Sequence, residues 1–384
     1  LSRASFMNQG RAILEASRTL GLRPSSAFFR VALPMSRPWI VSGLALVLME
    51  TLADFGAVSI FNYDTFTTAI YKSWFGFFSL KAAAQLSSLL VILAVVLVFV
   101  EGLFKKRMRY YDSSRGGAAH TRLKLKGWSS FGVVSYCTFI LLIAFIIPVI
   151  QLAVWSLKVL RSGDGIAYLE VIIKTLFLGS TAAVLICLTA LLLSYSRRRN
   201  DSMGNRLLSR ISTVGYALPG TVLAVGIFIP ISKFDGLLRE LWKVLANTDP
   251  GPILQGTVLV MLAAYLIRFL AVGFGSVDSG MQNIKPSLDE ASAILGKSGG
   301  ETLRKIHFPL LKKGLLTALV LVLVDVIKEM PITLMTRPFG WDTLAVKIYE
   351  LTSEGEWVRA ALPGSYLVLA GIIPVILLIN QMEK

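Results

Sequence analysis

The sequence predicts an all-α integral membrane protein with about eight transmembrane helices. Three observations predict it. Of the 384 residues, 54% are hydrophobic and only 16% are charged, and the mean hydropathy is +0.67; a chain this apolar needs lipid to solvate it. The apolar residues gather into runs of about 20, enough at 1.5 Å per residue for a helix to cross a hydrocarbon core of about 30 Å. Lysine plus arginine outnumber aspartate plus glutamate by 39 to 23, and the excess collects in alternate loops, as the positive-inside rule requires. A basic excess also suits nucleic-acid binding, but the hydropathy argues against it, and no nucleic acid is expected as a partner.

In chain order the candidate spans are 39–60, 80–101, 132–157, 170–195, 211–232, 254–276, 314–335 and 362–381. The fifth is interrupted by Pro219, Gly220 and Pro230, which a membrane helix tolerates where neighbouring helices cover the freed backbone groups. The loops set the sidedness. Residues 105–126 carry eight lysines and arginines against Asp112. Residues 197–210 carry Arg197, Arg198, Arg199, Arg206 and Arg210, and 277–313 carry six more basic residues. The loops near 61–79, 233–253 and 336–361 are balanced or acidic. Eight spans put the basic loops, and both termini of this chain, on the cytoplasmic side.

The chain also repeats itself. "LEASRTLGLRPSSAFFRVALP" (14–34) and "DEASAILGKSGGETLRKIHFP" (289–309) align at an offset of 275, with Glu15 on Glu290, Ala16 on Ala291, Gly21 on Gly296 and Pro34 on Pro309. Glu50 then falls on Asp325 and Asp54 on Glu329; after a shift of three, "YDTFTTAIY" (63–71) matches "WDTLAVKIY" (341–349). The expected organisation is a first unit over 1–104, a basic cytoplasmic linker over 105–130, and a second, six-span unit over 131–384. The first unit holds only the loop and the last two spans of that pattern, so about four further helices are expected ahead of it.

Gly296-Lys297-Ser298 looks like the end of a phosphate-binding loop. Such a loop needs another glycine five residues before the one preceding the lysine, between a strand and a helix. That position holds Ala291, its surroundings read as helix, and the twin copy has Gly21-Leu22-Arg23. A docking loop fits better. Residues 287–290 start a short helix with acids in its first turn, where the helix dipole favours them. Ala291, Ile294 and Leu295 form its apolar face, Gly296 ends it in a left-handed cap, and a second helix over 300–308 runs to Pro309.

Both loops resemble the EAA loop of ABC-transporter membrane subunits: Glu-Ala-Ala, three residues, Gly, nine residues, then Ile-x-Leu-Pro. The second copy reads Glu290-Ala291-Ser292, Gly296, Ile306, Phe308-Pro309; the first reads Glu15-Ala16-Ser17, Gly21, Val31, Leu33-Pro34. Each departs mildly, with Ser for the second Ala in both. "METLADFGAVSIFNYDTFTTAIYKSW" (49–74), "RFLAVGFGSVDSGMQNIKPSLDEAS" (268–292) and "DVIKEMPITLMTRPFGWDTLAVKIYE" (325–350) are similar to the fused two-unit permease of ferric-iron importers. The resemblance implies a cytoplasmic ATPase dimer gripping the EAA loops as coupling helices, through Glu15, Ala16 and Gly21 and through Glu290, Ala291 and Gly296. It also implies a periplasmic binding protein that delivers Fe3+, a place in a bacterial inner membrane, and no bond chemistry or cofactor on this chain.

Within the spans, Glu50 with Asp54 and Asp325 with Glu329 stand four residues apart, on one face of a helix. A carboxylate at membrane depth costs about 2.5–3.5 kcal/mol on insertion scales, so it faces a cavity or a partner. The four are candidates for lining a cation route, a weak hard-oxygen path rather than a tight metal site. Alternatively they pair with Lys328 or Arg337 and steady the fold. Arg268 is expected to snorkel to the cytoplasmic surface or, alternatively, to face a cavity. Cys137 and Cys187 read as apolar filler, and His120 and His307 form no metal motif. Other readings are a permease for thiamine, a polyamine, sulfate or molybdate, an ion-coupled carrier, or a membrane enzyme; no HExxH or GxSxG supports the last.

Overall fold

The computed structural model describes residues 17, 19–106, 127–163, 168–200 and 202–382. Among these there is no strand. Six helices are long and apolar enough to cross a membrane: α4 (Leu80–Lys106, apolar over Leu80–Val100), α5 (Trp128–Arg161), α6 (Leu169–Arg199), α8 (Gly220–Ala246), α9 (Val258–Gln282) and α14 (Trp357–Met382). A bent pair, Ser25–Arg37 with Trp39–Ala53, makes up to seven; its halves meet at 56°. Pro38, which has no N–H to donate, stands at that break, where the second copy has Lys313.

The expected span 39–60 ends early: α1 (Leu33–Ala53) stops before Asp54, and a separate short helix, α2, covers Gly56–Ile60. The expected span 314–335 breaks the same way, into α11 (Phe308–Ile327) and α12 (Pro331–Thr336). α11 has 20 residues and is as apolar as the six, but it carries three charges, Lys312, Lys313 and Asp325, which set it apart from them. The interrupted fifth span resolves into an amphipathic helix, α7 (Met203–Ser212), a 3-10 turn, and α8, which begins after Pro219 and runs through Pro230. The other short helices are α3 (Phe66–Tyr71), α10 (Pro286–Ile294) and α13 (Leu344–Ser353).

The chain forms two compact units, one of residues 1–54 with 88–144, the other of 55–87 with 145–384. The larger has its main core where α6, α9 and α11 meet. Leu178, Ala182, Ile186 and Ala190 of α6 pack with Met261, Tyr265 and Phe269 of α9 and with Leu311, Ala318 and Val322 of α11. Small residues let these backbones approach, which is how membrane helices gain dispersion energy where lipid removes the hydrophobic drive. Gly273 shows the tightness: a Cβ there would lie 2.9 Å from Cγ2 of Ile186.

The repeat is visible in element boundaries. A short helix at Pro24–Ala27, a π turn at Phe28–Ala32 and α1 are reproduced 275 residues on by Gly299–Thr302, a π turn at Leu303–His307 and α11. Gly21 and Gly296 both have positive φ, +79° and +67°. The turn is closed in each by one bond of 3.1 Å, Leu22 N–H to Ser17 O and Lys297 N–H to Ser292 O. Thr65 and Thr343 are the N-caps of α3 and α13. Inside the larger unit, equated residues meet: the rings of Tyr71 and Tyr349 lie 6.1 Å apart, and Phe55 and Met330 share a buried cluster. Residues that touch their own repeat equivalents lie on a local pseudo-twofold axis.

Candidate functional site

The second of the two candidate docking loops is built from the ends of three helices. α10 starts at Pro286, whose ring presets φ and whose missing N–H is not needed at the first helical position. It ends at Ile294; Gly296 then takes the left-handed turn, and Ser298 caps the next helix in a reciprocal box with Glu301. Glu301 is held below the usual carboxylate range by the hydrogen bond from Lys305, then by the Ser298 N–H and the charge of Lys297. Glu290 and Ala291 are exposed, and Ile294 and Leu295 stand 86% and 75% exposed. The apolar face expected for this helix is therefore turned outward. Leu20, the equivalent of Leu295 in the first loop, is likewise exposed.

Beneath that open face lies a charged hub. Arg198, at the end of α6, donates from Nε to Asp289 at 2.7 Å and from its terminal nitrogens to the carbonyls of Met281 (2.6 Å) and Ile284 (2.9 Å). The guanidinium thus satisfies carbonyls at the C-terminus of α9, where a cation is favoured, and ties α10 to them. Asp289 also meets Nε2 of His307 at 2.6 Å, and His307 is 1% exposed. Tyr195 donates to the Gly299 carbonyl at 2.6 Å. Ser292 is buried with its hydroxyl 2.7 Å from that of Thr302. The serine that departs from Glu-Ala-Ala therefore has a packing reason, and Ser17 is buried in the first copy too.

Of the sequence-predicted docking residues, Gly21, Glu290, Ala291 and Gly296 occupy the exposed loops; Glu15 and Ala16 lie outside the described residues. The sequence reading missed Asp289 as a hub, taking it for a dipole acid, and took Arg198 for a topological charge. Its only available signal was asymmetry: the first copy has Leu14 and Ala32 where the second has Asp289 and His307.

The membrane acids do not share helix faces as expected, because each pair straddles a helix end. Glu50 is exposed, while Asp54 is half-buried and extended, with ψ 129°. Asp325 pairs with Lys328 at 2.8 Å. Glu329, past the end of α11, turns inward to Arg268 at 3.0 Å, with 7% and 14% of the two side chains exposed. Its Oε1 also accepts the Ile332 N–H at the start of α12. Arg268 therefore does not snorkel; it lies against Gly220, where a Cβ would come within 2.1 Å of its guanidinium. Arg337 pairs with Asp342 and, at 2.8 Å, with Glu350, not with a membrane acid. Among the described residues no cluster of His, Cys, Asp and Glu is placed to hold a metal.

A sequence model of the family described as "binding-protein-dependent transport system inner membrane component" matches residues 2–110 and 182–380, with both docking loops inside the match. The chain belongs to this family. As a binding-protein-dependent permease of the ABC-importer type, it is a multi-pass inner-membrane protein. It is 27% identical over 376 residues to the Fe(3+)-transport system permease protein FbpB 2 of Haemophilus influenzae, covering 96% of this chain and 70% of that one. It is 25% identical to the ferric transport system permease protein FbpB of Actinobacillus pleuropneumoniae, over 93% of this chain. This chain spans 52% of that second relative's length. The permease PhnV of Salmonella typhimurium, named for 2-aminoethylphosphonate transport, is 25% identical over 67% of this chain and 95% of its own. In structure, the permease is similar to a bacterial ABC transporter for alginate import, with a TM-score of 0.50 and 15% identity over 66% of this chain and 94% of that one. That likeness concerns the fold alone.

Proposed function

We propose that this permease translocates Fe3+ released by a periplasmic binding protein, driven by a separate ATPase dimer that grips its two docking loops. The observation that supports the cargo most is the likeness to ferric-iron permeases over nearly the whole chain. The ATPase role rests on the loops: two copies of one Gly-turned knob, each with an outward leucine, Leu20 and Leu295. In this reading the ATPases contact Glu15, Ala16 and Gly21 in one loop and Glu290, Ala291 and Gly296 in the other. ATP draws the knobs together and the helices rock, so that the route opens outward to receive cargo; hydrolysis resets it. The chain does no bond chemistry and carries no cofactor. The basic loops and both termini of this chain face the cytoplasm, and 1–104, 105–130 and 131–384 are first unit, linker and second unit.

Glu50, Asp54 and Asp325 remain candidates for lining the route. Glu329 is better placed as an anchor, since Arg268 already neutralises it. The test is ATP-dependent uptake of radiolabelled Fe3+ into proteoliposomes holding the full-length permease, its ATPase and its binding protein. Glu15→Ala with Glu290→Ala should reduce uptake by an order of magnitude or more. Uptake of a different cargo such as 2-aminoethylphosphonate, and not of iron, overturns the cargo and keeps the architecture. Uptake that ignores both glutamates overturns the docking role.

A further inference from the structure

Helix α7 follows directly on α6, whose 31 residues reach about 46 Å, past the hydrocarbon core and into the headgroup zone. It is the most amphipathic of the described helices. Met203, Leu207 and Ile211, at successive turns, form one outward stripe and stand 87%, 56% and 61% exposed. Arg206 and Arg210, also four apart, form the adjoining stripe. The opposite side is fixed to the protein. Asn205 donates to the carbonyls of Ser196 and Asn200, Ser209 is buried, and Gly215 lies against the Ile267 carbonyl. The helix therefore holds its apolar stripe out as a fixed feature of the fold.

Two open grooves meet at the arginines. One, of about 380 Å³, is lined by Met203, Arg206, Leu207 and Arg210. The other, of about 240 Å³, is lined by Arg197, Arg206, Ser209, Arg210, Thr213 and Phe274. The hydroxyls of Ser209 and Thr213 already donate to backbone carbonyls, so the donors that this floor adds are guanidinium groups, that of Arg210 first among them. Arg197 also pairs with Asp278 at 3.3 Å. Arg210 makes no ion pair among the described residues. A donor-rich floor beside the apolar walls of Met203, Leu207 and Phe274 matches one chemistry: a phosphodiester with a hydrocarbon tail.

We infer that the groove between α7 and the ends of α6 and α9 binds the headgroup of an anionic phospholipid, with its acyl chain along Met203 and Leu207. Arginines at the edge of an apolar stripe are placed to reach phosphate while their stems stay in hydrocarbon. Free phosphate has no use for the apolar walls. The site joins the bilayer to the same end of α6 and α9 that carries the docking loop, and it does not depend on the cargo.

The test uses the full chain in nanodiscs of equal phosphatidylglycerol and phosphatidylcholine, extracted in mild detergent, with retained lipid counted by native mass spectrometry. Wild type should retain phosphatidylglycerol over phosphatidylcholine. Arg210→Gln, and then Arg206→Gln with it, should reduce that preference roughly fivefold per arginine, while the R206K/R210K pair should keep most of it. Equal retention of the two lipids by wild type overturns the inference without recourse to any variant. So does displacement of the lipid by millimolar inorganic phosphate, which would make this a free-anion site. Unchanged lipid retention in the glutamine variants, with loss of ATPase co-purification instead, assigns the face to the partner and also overturns it.

Discussion

At the scale of single residues, the docking loop separates conformation from contact. Gly296 has open space around it but φ +67°, so Gly296→Ala should cost about 1 kcal/mol through backbone strain alone, and Gly296→Asn less. Gly215 is the opposite case: a Cβ would meet the Ile267 carbonyl oxygen at 2.0 Å, backbone that cannot swing aside. Gly215→Ala should therefore destabilise by about 1–3 kcal/mol, as overpacking does. Thermal unfolding in detergent, followed by tryptophan fluorescence, ranks the variants. A larger fall for Gly296→Ala than for Gly215→Ala would contradict the geometry. Asp289 gives a third case. Asp289→Asn weakens charge-assisted bonds to Arg198 and His307, worth about 1–2 kcal/mol in this partly exposed position. On the proposed docking role, uptake should fall further than ATPase activity, because the knob stays present but is held less firmly to α6.

At the scale of elements, hydropathy located almost every membrane helix but misplaced several ends. Apolar runs report where a chain prefers lipid; they do not report where its hydrogen-bond ladder stops. α1 and α11 stop at Asp54 and Lys328, a new helix begins at Gly56 and at Pro331, and apolar residues resume just beyond the charges at both breaks. The docking loop was legible because its information is local and occurs twice. The ion pair of Arg268 with Glu329 was not, because 61 residues separate the partners and each charge alone suited another reading. The pair is nearly buried, so removing one partner strands a charge. Glu329→Leu should destabilise by about 3–5 kcal/mol, and Arg268→Met with Glu329→Leu by much less. A double-mutant cycle in thermal stability reads the coupling; additive losses would mean that water, not Glu329, neutralises Arg268.

At the scale of the whole molecule, the charge distribution predicts sidedness, with the basic loops on the cytoplasmic face. Seven apolar crossings with α11 as an eighth would return each docking loop to the same face, where an ATPase dimer could hold both; an odd number between the loops would part them. Ser298 beside the second docking turn, Arg23 beside the first, and Phe339 in the loop between α12 and α13 are all exposed. They can each be replaced by cysteine in a Cys137→Ser, Cys187→Ser background. In sealed, right-side-out vesicles an impermeant maleimide should label Phe339→Cys at once. It should label Ser298→Cys and Arg23→Cys only after the membrane is opened. Labelling of the two docking-loop cysteines on opposite sides would remove the twin-knob mechanism, because no single ATPase dimer reaches both faces of a bilayer. Labelling of both from outside would invert the topology and require a different origin for the basic loops.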